Sequence, residues 1–209
     1  MIRVFIADDH AITRRGLQQI IAEESDMTVG GEAQSTTQAL EFARLCEWDV
    51  LILDTSLPDH NGLDVLKELR HEYPKRSILI LTMNPDEQFA IRAFKAGAAG
   101  YLTKESTPDE LIHALRKVAE GGRYVSPTLA ERLASRVANH EQPLHENLSD
   151  REYQVMHFLA TGKTVSEISR QLSLSVKTIS TYRARLLEKM NLKNNAELMR
   201  YAVTHHLFE

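Results

Sequence analysis

Through about Gly121 the chain alternates short apolar runs with segments of helical period, and this restricts the possible folds more than any other feature. Strands are expected near Arg3–Asp8, Thr28–Ala33, Asp49–Asp54, Ser77–Thr82 and Gly100–Thr103. Between them fall helices of about three turns, with a last one over Pro108–Glu120. Strands that are apolar throughout are buried on both faces. A parallel sheet achieves this because right-handed crossovers lay helices on each side. The expected architecture is therefore α/β, a doubly wound parallel sheet, and such sheets bind ligands at the carboxyl ends of their strands.

Those ends carry the chemistry. Val4-Phe5-Ile6 leads into Asp8-Asp9, Val50-Leu51-Ile52-Leu53 into Asp54, Ile78-Leu79-Ile80-Leu81 into Thr82, and Gly100-Tyr101-Leu102 into Thr103-Lys104. Two like charges ~4 Å apart repel by about 4 kcal/mol at an effective dielectric of 20, so three converging carboxylates call for a cation. Asp8, Asp9 and Asp54, with the Ser56 carbonyl, form an oxygen donor set that suits Mg²⁺ better than zinc. Asp54 can then attack phosphorus while the metal and Lys104 neutralise the equatorial oxygens and Thr82 orients the phosphoryl group. The loop Leu57-Pro58-Asp59-His60-Asn61-Gly62 turns the chain beside Asp54 into the next helix. Singly, each feature has a plainer meaning: a helix cap, a solvated lysine, a blunted strand. Together, at the ends of alternate strands, they point to a phosphoryl site.

Gly121-Gly122 and the polar stretch that follows are expected to form a linker over residues 122–147, dividing a first domain, 1–121, from a second, 148–209. Leu129, Leu133 and Val137 repeat every four residues after Ser126-Pro127, so the linker should carry a helix. From Leu148 onward the pattern is purely helical: Asp150–Ala160, Val165–Gln171, Val176–Met190 and Ala196–His205. This tail has nine Lys/Arg against six Asp/Glu, and the rest sixteen against twenty-three, so an acidic front precedes a mildly basic tail suited to nucleic acid.

Leu172-Ser173-Leu174-Ser175 separates the second and third tail helices, a helix-turn-helix spacing with Ser175 placed as an N-cap. At 100° per residue Ile179, Tyr182, Leu186 and Met190 share an apolar face, opposite Lys177, Ser180, Thr181, Ala184 and Glu188. Arg185 borders the exposed stripe, and Arg183 lies nearer the core edge. Such a small, polar face admits the backbone to a major groove. Thr178, in the first turn, joins Lys177, Ser180, Thr181, Ala184 and Arg185 as an expected DNA contact. In the last helix Leu198 and Ala202 should face the core, with Met199 and Val203 left for a dimer contact.

Asp8-Asp9, the pattern Asp54-x-x-x-Pro58-x-x-x-Gly62, Thr82 and Ala98-Ala99-Gly100-Tyr101-Leu102-Thr103-Lys104 resemble the receiver domain of two-component response regulators. Leu148-Ser149-x-Arg151-Glu152, Gly162-Lys163, Glu167-Ile168, Leu172 to Ile179 and Lys189-Met190 resemble the LuxR-type output domain. Jointly they are similar to the NarL/FixJ type, and Ser180-Thr181-Tyr182 to its subgroup containing the GacA regulators. The resemblance implies a flavodoxin-like five-stranded sheet of order 2-1-3-4-5 joined to a four-helix DNA-binding domain; a chemotaxis receiver is a standing example of that strand order. It further implies that Asp54 accepts phosphate from a sensor histidine kinase and that Asp9 and the Ser56 carbonyl help bind Mg²⁺. Thr82 and Lys104 would contact the phosphoryl group, with Tyr101 as the switch aromatic. The protein would bind double-stranded DNA as a homodimer to regulate transcription, which leaves RNA polymerase open as a further partner. Glu105 stands where many receivers have proline, and a cis bond before a non-proline costs ~2.5 to 4 kcal/mol.

The single cysteine, Cys46, is expected on a helix face with Ala39, Phe42 and Ala43 as a core thiol. The nine histidines match no closed metal set, so His60 reads as a loop residue and His205-His206 as solvated or at a subunit contact. No charged leader precedes the first strand and no apolar run approaches the ~18 residues of a membrane span, so a cytoplasmic protein without a membrane partner is expected. An aspartyl-phosphate hydrolase would commonly carry an acid/base Asp two positions past the nucleophile, where Ser56 stands. A receiver whose tail does not bind DNA is the other alternative.

Overall fold

The computed structural model describes residues 1–58, 62–83, 87–138, 143–205 and 207. It divides into two compact units, the first of Met1–Pro85 and Phe89–Glu131 and the second of Asp86–Gln88 and Arg132–Glu209.

The first unit alternates β1 (Ile2–Ala7), α1 (Ala11–Ala22), β2 (Met27–Ala33), α2 (Thr36–Leu45), β3 (Val50–Asp54) and α3 (Gly62–Glu72). It continues with β4 (Ser77–Thr82), α4 (Glu87–Lys95), β5 (Gly100–Thr103), α5 (Pro108–Ala119) and β6 (Tyr124–Val125). The strands form one parallel sheet in the order β2-β1-β3-β4-β5-β6. All five residues of β3 are buried, as an apolar run between flanking strands requires. Val4, Ile6, Val50, Ile52, Leu79, Leu81 and Leu102 meet Leu17 and Ile21 of α1 and Leu111, Leu115 and Val118 of α5 in one core. Each such side chain contributes roughly 1.5–3 kcal/mol on burial.

The expected five-stranded order is kept, but a sixth strand extends it. Tyr124–Val125, read above as the start of the linker, pairs with Gly100 and Tyr101 of β5. Two residues carry no alternation to read; the pairing comes from where the chain is returned. Gly121 leaves α5 at φ +84°, and a Cβ on Gly122 would lie 2.9 Å from the Lys117 carbonyl oxygen, so both glycines serve a tight return to the sheet. Tyr124 is then buried, its hydroxyl donating to Glu110 Oε1 at 3.1 Å. Cys46 also departs from expectation: α2 stops at Leu45, and Cys46 is its half-buried, extended C-cap.

The expected linker helix exists as α6 (Pro127–Ala138), started by Ser126, whose Oγ accepts the Leu129 N–H at 3.3 Å. The boundary between the units falls inside it. The Val137 side chain lies outside the described residues, as do Asp59, His60, Asn61 and His206.

After a 3₁₀ turn at Leu144–Asn147, the second unit consists of α7 (Asp150–Ala160), α8 (Val165–Gln171), α9 (Val176–Lys189) and α10 (Asn195–Thr204). These match the expected helices to within a residue, the usual uncertainty of helix ends. Ser149, Thr164, Ser175 and Asn194 each accept a backbone N–H from three residues on, supplying the N-caps that sever one helix from the next. The apolar faces close on Tyr153, Val155, Met156, Leu159, Ile168, Ile179, Leu186, Met190 and Leu198. No helix among the described residues is long and apolar enough to cross a membrane.

Candidate functional site

The ends of β1, β3 and β5 bring the expected acids and the expected ammonium together. Asp54 and Asp8 are almost wholly buried, at 0% and 1% exposure. Lys104 Nζ lies 2.6 Å from Asp54 Oδ2 and 2.7 Å from Asp8 Oδ2, so a single ammonium spans the two carboxylates. Strand order places it there: β1 and β4 flank β3, and β5 lies beside β4, where the Lys104 N–H also donates to the Thr82 carbonyl at 2.8 Å. Ser56 follows the turn after Asp54, and its N–H donates to Asp54 Oδ1 at 2.9 Å. Gly62 starts α3 so close to this exit that a Cβ there would lie 2.7 Å from Thr55 Cα.

Asp9 is more open, and His10, not foreseen from the sequence, joins the group. Its Nδ1 lies 2.8 Å from Asp9 Oδ1 and 3.3 Å from Asp8 Oδ1, and Asp8, Asp9, His10 and Asp54 offer ligand atoms all within 4.8 Å of one another. The acidic pair itself was the available signal; the histidine beside it formed no metal-ligand spacing. Arg14 on α1 props this loop, its Nη1 donating to the Asp8 carbonyl at 2.8 Å and its Nε to Glu32 Oε2 at 3.2 Å.

Burial pushes the Asp54 carboxyl above the ordinary carboxylate range, against the Lys104 ammonium and the Ser56 N–H, which favour its ionised form. Burial likewise pulls on Lys104, but Asp54 and Asp8 outweigh it and hold the ammonium above its ordinary value. Three carboxylates and one ammonium share the pocket, so acidic groups outnumber the basic one. The pocket is thus an acidic, largely oxygen-lined one compatible with a divalent cation.

Thr82 ends β4 at 2% exposure, and its hydroxyl accepts from Thr55 Oγ1 at 3.1 Å, a partner the sequence reading overlooked. Tyr101 is turned inward at 2% exposure, its ring 6.4 Å from that of Phe89 on α4. All peptide bonds of the described residues are trans, the one between Lys104 and Glu105 included.

In the second unit, α8 and α9 form the helix-turn-helix. Leu172 and Leu174 dip toward the core while Ser173 takes a left-handed φ of 52°, and the Leu174 N–H reaches back to the Ser169 carbonyl at 3.0 Å. Ile179, Leu186 and Met190 are fully buried, whereas Lys177, Ser180, Thr181, Ala184 and Arg185 are exposed along one stripe. Thr178 is half-buried, its hydroxyl 2.8 Å from Ser175 Oγ. Arg183 is tied to Asn195 Oδ1 at 2.7 Å. Glu152, 3% exposed, closes the α7 capping box with Ser149 and accepts from Lys189 at 2.6 Å, fastening the start of α7 to the end of α9. On α10 Leu198 and Ala202 are buried; Met199 and Val203 are exposed.

Comparison with known proteins covers both units. Residues 4–116 match the family described as response regulator receiver domain, and residues 146–202 that described as bacterial regulatory proteins, luxR family. The chain is 34% identical over 212 residues to the response regulator GacA of Pseudomonas aeruginosa, spanning 100% of this chain and 99% of that protein. It is also 34% identical over 209 residues to the response regulator UvrY of Escherichia coli, spanning 99% and 96%. Among solved structures, RcsB of Salmonella enterica serovar Typhimurium bound to promoter P1flhDC in the presence of the phosphomimetic BeF3⁻ has a TM-score of 0.71 at 26% identity, over 97% of this chain and 98% of that one. Because the acid pocket lies within the first match and the helix-turn-helix within the second, this chain belongs to the two-component response regulators, as a receiver domain joined to a LuxR-type DNA-binding domain in one transcription regulator.

Proposed function

We propose that Asp54 is the phosphoacceptor and that Mg²⁺ is held beside it by Asp8, Asp9, Asp54 and the Ser56 carbonyl. The observation that carries this is the Lys104 ammonium within 2.7 Å of two buried carboxylates: an acid cluster built for charge exchange. A phosphoryl group leaves a kinase histidine nitrogen and forms an acyl phosphate on an Asp54 oxygen, while Lys104 compensates its charge and Thr82 donates to it. When bound, Mg²⁺ supplies further neutralisation of the phosphoryl oxygens. The excess of carboxylates over ammonium and the oxygen donors support it. Beyond this transfer and the loss of its own phosphate, the protein performs no catalysis.

The phosphorylated receiver, residues 1–121, then shifts Tyr101 and alters the output domain, residues 148–209, across the 122–147 linker. In that domain Lys177, Thr178, Ser180, Thr181, Ala184 and Arg185 meet double-stranded DNA, and Met199 and Val203 meet a second copy. The protein works in the cytoplasm, its phosphodonor is a sensor histidine kinase, and the readout is transcription by RNA polymerase. Incubation with Mg²⁺ and a small phosphodonor, followed by mass spectrometry, tests the core of this: one acid-labile phosphate is expected on Asp54 and none in Asp54→Asn. Label on another residue overturns the assignment.

A further inference from the structure

We propose that Thr55 restrains Thr82 in the unphosphorylated protein and so sets how readily the receiver is activated; this rests on the roles given above to Asp54 and Thr82. The paired register ends at Asp54↔Leu81, and Thr55, the first residue of the turn that follows, meets Thr82 through its hydroxyl at 3.1 Å. Side chains alternate along a strand, so Thr82 faces the side opposite to Leu81, and Thr55 meets it there. Tyr101 belongs to the same face, because Ile80, two residues before Thr82, is its partner across β4 and β5. Asp54 belongs to the opposite row with Leu81 and Leu102. To meet a phosphoryl group on Asp54, the Thr82 hydroxyl must turn over the strand end, away from Thr55.

The present geometry opposes that turn. Thr55 Oγ1 donates to Thr82 Oγ1 at 3.1 Å, and Thr82 is withdrawn from water at 2% exposure. Thr55 cannot follow. It is pinned by the first residue of α3, since even a Cβ on Gly62 would lie 2.7 Å from Thr55 Cα and 3.2 Å from its Cβ. As a β-branched residue it also has few χ1 alternatives. The Thr55–Thr82 bond therefore belongs to the inactive arrangement and is lost in the active one, so its worth is a direct bias on the equilibrium between them. Thr55 is a positioning residue: it acts on the phosphoryl group only through Thr82.

Removing the Thr55 hydroxyl should loosen the restraint. A net hydrogen bond of about 1 kcal/mol corresponds to about fivefold in that equilibrium. Titration with beryllofluoride and Mg²⁺, read by Tyr101 fluorescence or NMR shifts, should give half-saturation about fivefold lower for Thr55→Val than for the wild type, with Thr55→Ser close to the wild type. Without any ligand, the Thr82 χ1 populations, measured by three-bond couplings, should shift in Thr55→Val and not in Thr55→Ser. Unchanged Thr82 rotamers, or equal or weaker beryllofluoride binding by a variant that melts like the wild type, overturn the proposal. Thr55→Ala takes the place of the valine variant if that one does not fold. A wild-type protein that takes up no beryllofluoride would instead defeat the Asp54 site, and the ligand-free rotamers would still decide the role of Thr55.

Discussion

Lys104 holds two buried carboxylates together, and its removal exposes what it was neutralising. Breaking a buried pair costs ~3–5 kcal/mol; here one side of the pocket is open, so Lys104→Ala should destabilise the receiver by ~2 kcal/mol in EDTA. Mg²⁺ should return part of that loss, because a divalent cation can take up the same charge. Thermal melts with and without Mg²⁺ check both statements, and a variant as stable as the wild type in EDTA would contradict them. In the wild type, Mg²⁺ at a hundredfold excess over its dissociation constant should add ~2.7 kcal/mol. Thr82→Ala should still accept phosphate at Asp54 while losing most of the phosphorylation-dependent rise in DNA affinity, as measured by mobility shift.

Among elements, α7 and α9 carry predictions with definite signs. The Lys189 and Ser149 bonds hold Glu152 below the ordinary glutamate range although burial, the largest single influence, pushes it up. A depressed carboxyl contributes stability that is present above its unfolded pKa and lost as pH falls below it. Glu152→Ala removes the capping box and the tie to α9, and should cost the helical unit ~2 kcal/mol at neutral pH. His157, pushed down to about 4 chiefly by burial and further by the Lys163 charge, acts in a separate window. It is neutral when folded, so its contribution is complete above about 6.5, the unfolded value, and disappears as pH falls toward 4. Unfolding free energy should therefore slope upward between pH 5 and 6.5, by up to ~2 kcal/mol in all, and His157→Gln should flatten that slope. On α9, Lys177→Ala should weaken binding to all DNA sequences and reduce the salt slope by about 1. Salt-insensitive binding by the wild type would remove α9 as the reader.

At the scale of the whole molecule, the receiver carries the acid pocket and the helical unit carries the exposed α9 stripe and α10 face. A symmetric dimer would set two α9 helices in successive major grooves, on half-sites centred ~10 base pairs apart or a multiple of that. Val203, 74% exposed, and Met199 are exposed apolar side chains of α10, and they are the ones proposed above to meet the second copy. Val203→Asp combined with Met199→Lys should abolish dimeric DNA complexes and leave the melting of the helical unit unchanged within ~0.5 kcal/mol, since neither residue is part of its core. Analytical ultracentrifugation with and without DNA measures the loss directly.

The sequence by itself determined the parallel sheet, the strand ends that bear Asp54, Thr82 and Lys104, and the four output helices. Buried strands read as apolar runs, and N-caps such as Ser149 and Ser175 are local signals carried by a few consecutive residues. Tertiary structure alone decided what depends on distant segments meeting. His10 entered the acid cluster because β1 delivers its following loop beside β3; Tyr124–Val125 became a strand because the Gly121–Gly122 turn returned it to β5. Thr55 found Thr82 across twenty-seven residues because β3 and β4 are paired up to the residue before it. Local patterns record which way a side chain faces, but a contact of 3 Å between remote residues follows only from how strands are ordered and aligned.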